Sequence, residues 1–198
     1  MNPTYFDIRS AFWKRAVERA SDYETYLAES PAPQAARWRQ QESRVPPLGP
    51  ADRERLTGHG CPMHVLVVSG VWCGDCVRQG PIIKQLADAA GADVQLRLID
   101  RDLDPAVRDE VRILGAMRVP VAIFLTTQFL EIGRVGDRML STYRRKAITE
   151  VGAACALPGA RTPVDETLAE RGEWIDVFER MLLMVRLSPV TREAVDVV

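Results

Sequence analysis

Apolar residues divide this chain into three stretches with different periods. From Thr4 to Ala28 they recur at Ile8, Phe12, Ala16, Ala20, Tyr23 and Leu27, which predicts one amphipathic helix with charges on its outer face. Ser30-Pro31-Ala32-Pro33 stops it, and a short helix is expected from Gln34 to Ser43. Val45-Pro46-Pro47-Leu48-Gly49-Pro50 then forces extended chain, because each proline restricts the residue before it and lacks an amide donor. A third helical piece, Ala51 to Thr57, ends at Gly58-His59-Gly60. The period then changes. Val65-Leu66-Val67-Val68, inside Met63 to Ser69, is the continuous apolar run of a strand covered on both faces. Val77, Ile82, Ile83, Leu86 and Ala90 mark a helix ended by Gly91, with Pro81 as a kink within it. Val94 to Ile99 reads as a strand, and Asp104-Pro105 caps and opens a helix to Leu114. Val121 to Leu125 and Phe129 to Val135 form a hairpin, followed by a helix from Arg138 to Ala154. Thr162-Pro163-Val164-Asp165 opens a last helix with Leu168, Ile175, Phe178, Leu182 and Val185 on one face, and Ser188-Pro189 ends it.

The order β, α, β, α, β, β, α predicts an α/β fold: a central mixed sheet of about four strands with helices on both sides. Residues 61–156 would form this body, with a helical extension at 1–60 and a second at 157–198 that packs on it. A chain of 198 residues suits one domain with additions better than two cores. Its net charge of −1, from 26 basic and 27 acidic residues, gives no electrostatic reason to expect nucleic acid or an anionic membrane as partner. No run approaches the roughly eighteen apolar residues of a membrane span, and Met1-Asn2-Pro3-Thr4 does not open a secretory signal. A cytoplasmic location is the expectation. Four cysteines are too few for a disulfide scaffold, so a close pair in a reducing compartment points to catalysis or metal binding.

That pair lies in Trp72-Cys73-Gly74-Asp75-Cys76, between the first core strand and the following helix. A cysteine at a helix start faces unsatisfied amides and the positive end of the dipole, which favour thiolate, and a second cysteine one turn on can reach its sulfur. Cys73 is then the attacking thiolate and Cys76 the resolving thiol. The same spacing also supplies half a zinc site.

The motif, Pro81 in the helix behind it and Val119-Pro120 before the hairpin together resemble the thioredoxin superfamily over roughly half the chain. Within it the pattern is similar to bacterial thioredoxin-like proteins with a Trp-Cys-Gly-Asp-Cys motif and a helical N-terminal extension. The resemblance implies a disulfide oxidoreductase, a cis Pro120 facing the dithiol, and Val119 backbone groups offered to an extended substrate. Trp72 would shield the nucleophile and present an aromatic surface, or simply pack. Three positions depart from the usual pattern. Asp75 stands where proline is common, and a charge ~6 Å from the thiolate costs roughly 0.7 to 3 kcal/mol. The expected Cys73 pKa is therefore at or above the value of about 7 known for thioredoxin, which makes a reducing dithiol. Val67 replaces a buried carboxylate that assists the resolving cysteine, so Asp75, water or another carboxylate substitutes, or resolution slows. Val77-Arg78 replaces a common lysine and alters the surface a reductase would meet.

Cys61 and Cys155 have no neighbour at ligand spacing and read as small buried hydrophobes. His59, Cys61 and His64 have metal-ligand spacing, but His64 opens a buried strand and His59 sits in a glycine-flanked turn. Arg118 and Arg78 could give the dithiol face positive charge and favour acidic targets, or be solvated. The expected function is exchange with protein or small-molecule disulfides, without organic cofactor or metal, with electrons from a thiol or a reductase. Two alternatives stand beside it: a binding or adaptor module with little turnover, and a zinc or iron-sulfur site shared between subunits.

Overall fold

The computed structural model describes residues 6–151 and 165–189. Four helices come first: α1 (Ser10–Arg19), α2 (Tyr23–Ala28), α3 (Ala32–Glu42) and α4 (Pro50–Glu54). The α/β body follows as β1 (Met63–Ser69), α5 (Gly74–Ala90), β2 (Val94–Asp100), α6 (Pro105–Glu110), β3 (Val121–Thr126), β4 (Glu131–Gly136) and α7 (Leu140–Lys146). A π-helical turn, Ala147–Val151, extends α7, and α8 (Glu166–Leu187) is the last element. The sheet order is β2-β1-β3-β4, with β1 parallel to β2 and antiparallel to β3, and β3 antiparallel to β4. This is the expected mixed four-stranded sheet with helices. Its central strands β1 and β3 carry the apolar runs, and Val65, Leu66, Val68, Ile123 and Phe124 are fully buried. Among the described residues no helix is long and apolar enough to cross a membrane.

The single helix expected over Thr4 to Ala28 is two. Ala20 leaves the helical conformation, Ser21 exchanges both backbone hydrogen bonds with Leu98 of β2, and Asp22 caps α2 by accepting from the Thr25 amide at 2.9 Å. The apolar period runs unbroken across this step, but the Ser-Asp cap competes locally with the helix, and the bridge occupies part of an otherwise open sheet edge. Other boundaries move less. The α6 helix stops at Glu110 rather than Leu114, where Leu114 and Gly115 both take positive φ. Phe129 also has positive φ and lies in the hairpin turn rather than in β4. Asp165 caps α8 by accepting from the Leu168 amide, while Thr162, Pro163, Ala154 and Cys155 lie outside the described residues.

Both sets of additions enter the core of the body. Trp13, Trp38 and Leu56 are buried in one apolar cluster with β1 and β3, as are Trp174, Phe178 and Leu182 of α8. Leu168, placed on that face by its spacing, is 43% exposed, and Trp174 and Met181 fill the face instead. Trp38 lies directly on Gly80 of α5: a Cβ there would sit 2.1 Å from the ring. The indole Nε1 donates to the Val71 carbonyl at 2.9 Å, so α3 holds the chain just ahead of the cysteines.

Candidate active site

The chain leaves β1 at Ser69 and turns through Gly70, whose carbonyl accepts from the Cys73 amide at 2.9 Å. A side chain at Gly70 would strike the Trp72 indole at 2.8 Å, so the glycine leaves room for the ring. Trp72 is 43% exposed, and the Arg101 guanidinium lies over it, 4.4 Å from the ring centroid. Cys73 is the N-cap of α5 and half-buried; Cys76, one turn on, has no exposed surface. The Val119–Pro120 peptide is cis, and the Cys73 sulfur lies 3.6 Å from the Val119 carbonyl oxygen, to which it donates when protonated. Gly136 closes against this loop, since a Cβ there would be 2.7 Å from the Pro120 carbonyl oxygen. Trp72, Cys73, Val119 and Pro120 are thus drawn to one end of the sheet.

The Cys73 pKa is lowered to about 6. The Cys76 thiol, placed to donate to the thiolate, contributes most; burial opposes it, and the amides of Cys76 and Asp75 at the helix start support it. The Asp75 charge works upward, as expected, but is the smallest of these influences. The value expected at or above about 7 is therefore too high, and the structure gives the reason. The Asp75 carboxylate is ion-paired with Arg78 at 2.9 Å and Arg138 at 2.7 Å, which spend much of its field. Cys76 is pushed far up, by burial first and then by Cys73.

Those ion pairs belong to a larger network. Arg78 also binds Glu170 of α8 at 2.7 Å, and Glu170, 1% exposed, accepts from Thr142 at 3.2 Å. Arg138 and Arg118 both pair with Asp137, at 3.1 and 3.2 Å, and Tyr143 donates to the same carboxylate. Gln79 joins the two sides by donating to the Asp137 carbonyl at 2.9 Å and accepting from Trp174 at 3.0 Å. Arg78 is accordingly committed inside the protein rather than presented to a reductase or target. Arg118 borders a cleft of about 640 Å³ over Cys73, with Trp72, Arg101, Val119, Arg138 and Tyr143. Sequence reasoning missed Arg101, Asp137, Arg138 and Glu170. Only Glu170 left a signal, because 170, 174, 178 and 182 form one helical row.

Val67 is buried in β1, and Ser69 follows it on the same face of the strand. The Ser69 hydroxyl interacts with both Cys76 and the Tyr26 hydroxyl and favours the ionised form of each. Both hydroxyls are buried, and neither makes a hydrogen bond of regular geometry. Away from the site, His64 stacks on Phe129 at 5.0 Å, His59 bonds the Arg55 carbonyl, and the Cys61 thiol donates to the His59 carbonyl. Burial pushes the Cys61 thiol up. No cluster of three potential metal ligands occurs among the described residues.

A mixed four-stranded sheet, with a Cys-Gly-Asp-Cys pair opening a helix and a cis proline facing it, defines a thioredoxin-like protein. Residues 21–141 match the thioredoxin family, and the chain belongs to it. The match takes in α2, α3 and α4 as well as the sheet. Two solved structures share the fold. A protein of unknown function from Pseudomonas aeruginosa is 16% identical with a TM-score of 0.58, over 92% of this chain and 97% of that one. An HIV epitope-scaffold is 16% identical with a TM-score of 0.57, over 91% and 97%. At that identity the likeness concerns the fold alone. A comparison with curated proteins finds no match.

Proposed function

We propose that this protein is a thiol-disulfide oxidoreductase of the Trp-Cys-Gly-Asp-Cys type, working in the reductive direction in a reducing compartment such as the cytoplasm. The observation that carries this reading is a partly exposed Cys73 sulfur at the start of α5, beside the cis Val119–Pro120 peptide and backed by a fully buried Cys76, an arrangement that lowers the Cys73 pKa and raises that of Cys76. At neutral pH the outer sulfur is a thiolate and the inner one a thiol, as sequential exchange requires. The Cys73 thiolate attacks one sulfur of a substrate disulfide, forming a mixed disulfide and expelling the first thiolate. Cys76 then attacks Cys73, its proton passes to the second leaving thiol, and the enzyme is left as the Cys73–Cys76 disulfide. Two electrons have moved to the substrate, and a thiol or reductase must return them. Val119 and Pro120 offer backbone to the substrate, Trp72 an aromatic wall, and Asp75 tempers the nucleophile. Sulfur chemistry alone completes the cycle. A metal site shared between subunits would need both sulfurs outward, and Cys76 is fully enclosed.

The test is insulin reduction with dithiothreitol as the electron source. Wild type is expected to accelerate precipitation, and Cys73→Ser to abolish the acceleration. Cys76→Ser is expected to stall as a mixed disulfide that captures the physiological substrate. Equal rates for wild type and both serine variants would refute the enzyme reading and leave an adaptor.

A further inference from the structure

Cys76 must lose its proton to resolve the mixed disulfide, yet it is the most enclosed sulfur of the pair and burial opposes its ionisation. The titratable and charged groups that bear on it and on its immediate neighbours are Cys73 and Asp75 of α5, Tyr26 of α2, and Asp100 at the end of β2, which acts on Tyr26. No carboxylate is in contact with its sulfur among these. One hydroxyl, that of Ser69, stands beside the sulfur, with a second behind it. Ser69 Oγ interacts with Cys76, and the Tyr26 hydroxyl with Ser69; both are buried, and neither has a hydrogen-bond partner of regular geometry. Burying a hydroxyl without a partner costs stability, and two such groups in line behind one thiol need an explanation. They gain full value only when that sulfur carries charge, since a hydroxyl donating to an anion is about twice as strong as one donating to a neutral group.

We infer that Ser69 is a catalytic residue of the resolving step, donating its hydroxyl hydrogen to the Cys76 sulfur as that sulfur becomes a thiolate, and that Tyr26 is a positioning residue that donates to Ser69 Oγ in turn. The inference rests on the disulfide-exchange reading. In the step, a bond forms between Cys76 and Cys73, the bond from Cys73 to the substrate breaks, and its electron pair leaves on the substrate sulfur. The Cys76 proton ends on that leaving sulfur, or on water when the leaving group is acidic enough to depart as a thiolate. Ser69 and Tyr26 keep their own hydrogens throughout and act by stabilising charge in a water-excluded site. Tyr26 is supplied by the helical segment ahead of the sheet, which makes that segment part of the reaction centre.

The experiment is single-turnover reduction of an aromatic nitrobenzoate disulfide by pre-reduced protein. The first coloured thiolate released reports attack by Cys73, and the second reports attack by Cys76. For Ser69→Ala the ratio of second to first rate is expected to fall about tenfold or more at neutral pH, as for loss of one hydrogen bond to a charged group, with the pH midpoint of the second phase moved upward. Tyr26→Phe should lower the ratio about threefold, with a smaller upward movement. Thermal stability of the reduced variants should hold or rise, because an unpartnered buried polar group has been removed. An unchanged ratio and midpoint in both variants overturns the inference while leaving disulfide exchange intact. Absence of the first release from wild type would overturn the exchange reading, and this inference with it.

Discussion

Replacing Cys76 tests what holds the Cys73 thiolate. The Cys76 thiol is the foremost influence bringing Cys73 from its ordinary value of 9.0 to about 6. A hydrogen bond to a charged group is worth about 1.5–3 kcal/mol, which is roughly one to two pK units. Cys76→Ala is therefore expected to move the Cys73 midpoint to about 7 or 8. Cys76→Ser keeps a donor on a shorter arm and should fall between alanine and wild type. A rate at one pH would hide the effect. The thiolate fraction at neutral pH drops up to roughly tenfold, but intrinsic nucleophilicity rises with pKa with a Brønsted slope of about 0.4–0.5, which recovers several-fold. The measurement is thus the full pH profile of alkylation by iodoacetamide, read as a midpoint. An alanine variant whose midpoint stays at the wild-type value would refute the reasoning. The helix amides would then hold the thiolate unaided.

Three further outcomes follow from the same geometry. Asp75→Asn removes the charge that pushes Cys73 upward, so the alkylation midpoint should fall, by less than about one unit because Arg78 and Arg138 already spend much of that charge; a rise would contradict the assignment. The lowered Cys73 pKa makes the folded, reduced protein hold a thiolate that the unfolded chain does not hold below its ordinary value. That stabilisation is fully present above the ordinary value and is lost as pH falls through about 6, so the melting-temperature advantage of wild type over Cys73→Ser should shrink across that window. Gly80→Ala drives a methyl group into the Trp38 ring, which its bond to Val71 keeps from swinging away, and should cost at least about 1–3 kcal/mol in urea unfolding. A loss below about 0.5 kcal/mol would mean that α3 can slide on α5.

The parts of the fold that were legible are those whose signals are local. Val65 to Val68 make a continuous apolar strand, Gly91 stops α5, and Asp104-Pro105 starts α6, each within a few residues. The break at Ser21 was hidden because Ala20 and Tyr23 keep the helical period on either side of it, while the bridge that decides the matter is made with Leu98. The dithiol was legible for the same local reason: motif and helix start are contiguous. Its electrostatics were not. Asp75 looked like an uncompensated charge beside a thiolate, because nothing near it in sequence announces Arg138, or the Glu170 that fixes Arg78 from the far end of the chain.

The two additions to the sheet therefore act on opposite sulfurs. On the outer side, buried Glu170 of α8 locks Arg78, and Arg78 with Arg138 neutralises Asp75, so the Cys73 thiolate stays stable beside a carboxylate. On the inner side, Trp38 ties α3 to Val71, and Tyr26 of α2 interacts with Ser69, which in turn bears on Cys76. Neither influence comes from the Cys-Gly-Asp-Cys segment itself. Removing a charge from α8 exposes a buried partner, which typically costs 3–5 kcal/mol and confounds folding with chemistry. The hydroxyls of Tyr26 and Ser69 carry no charge and hold no other bond, so they can be removed with the fold intact. The inner sulfur is the one whose chemistry can be separated from stability, and on the proposed disulfide-exchange reading the rate of the resolving step is where this protein should differ most from a thioredoxin that keeps a buried carboxylate.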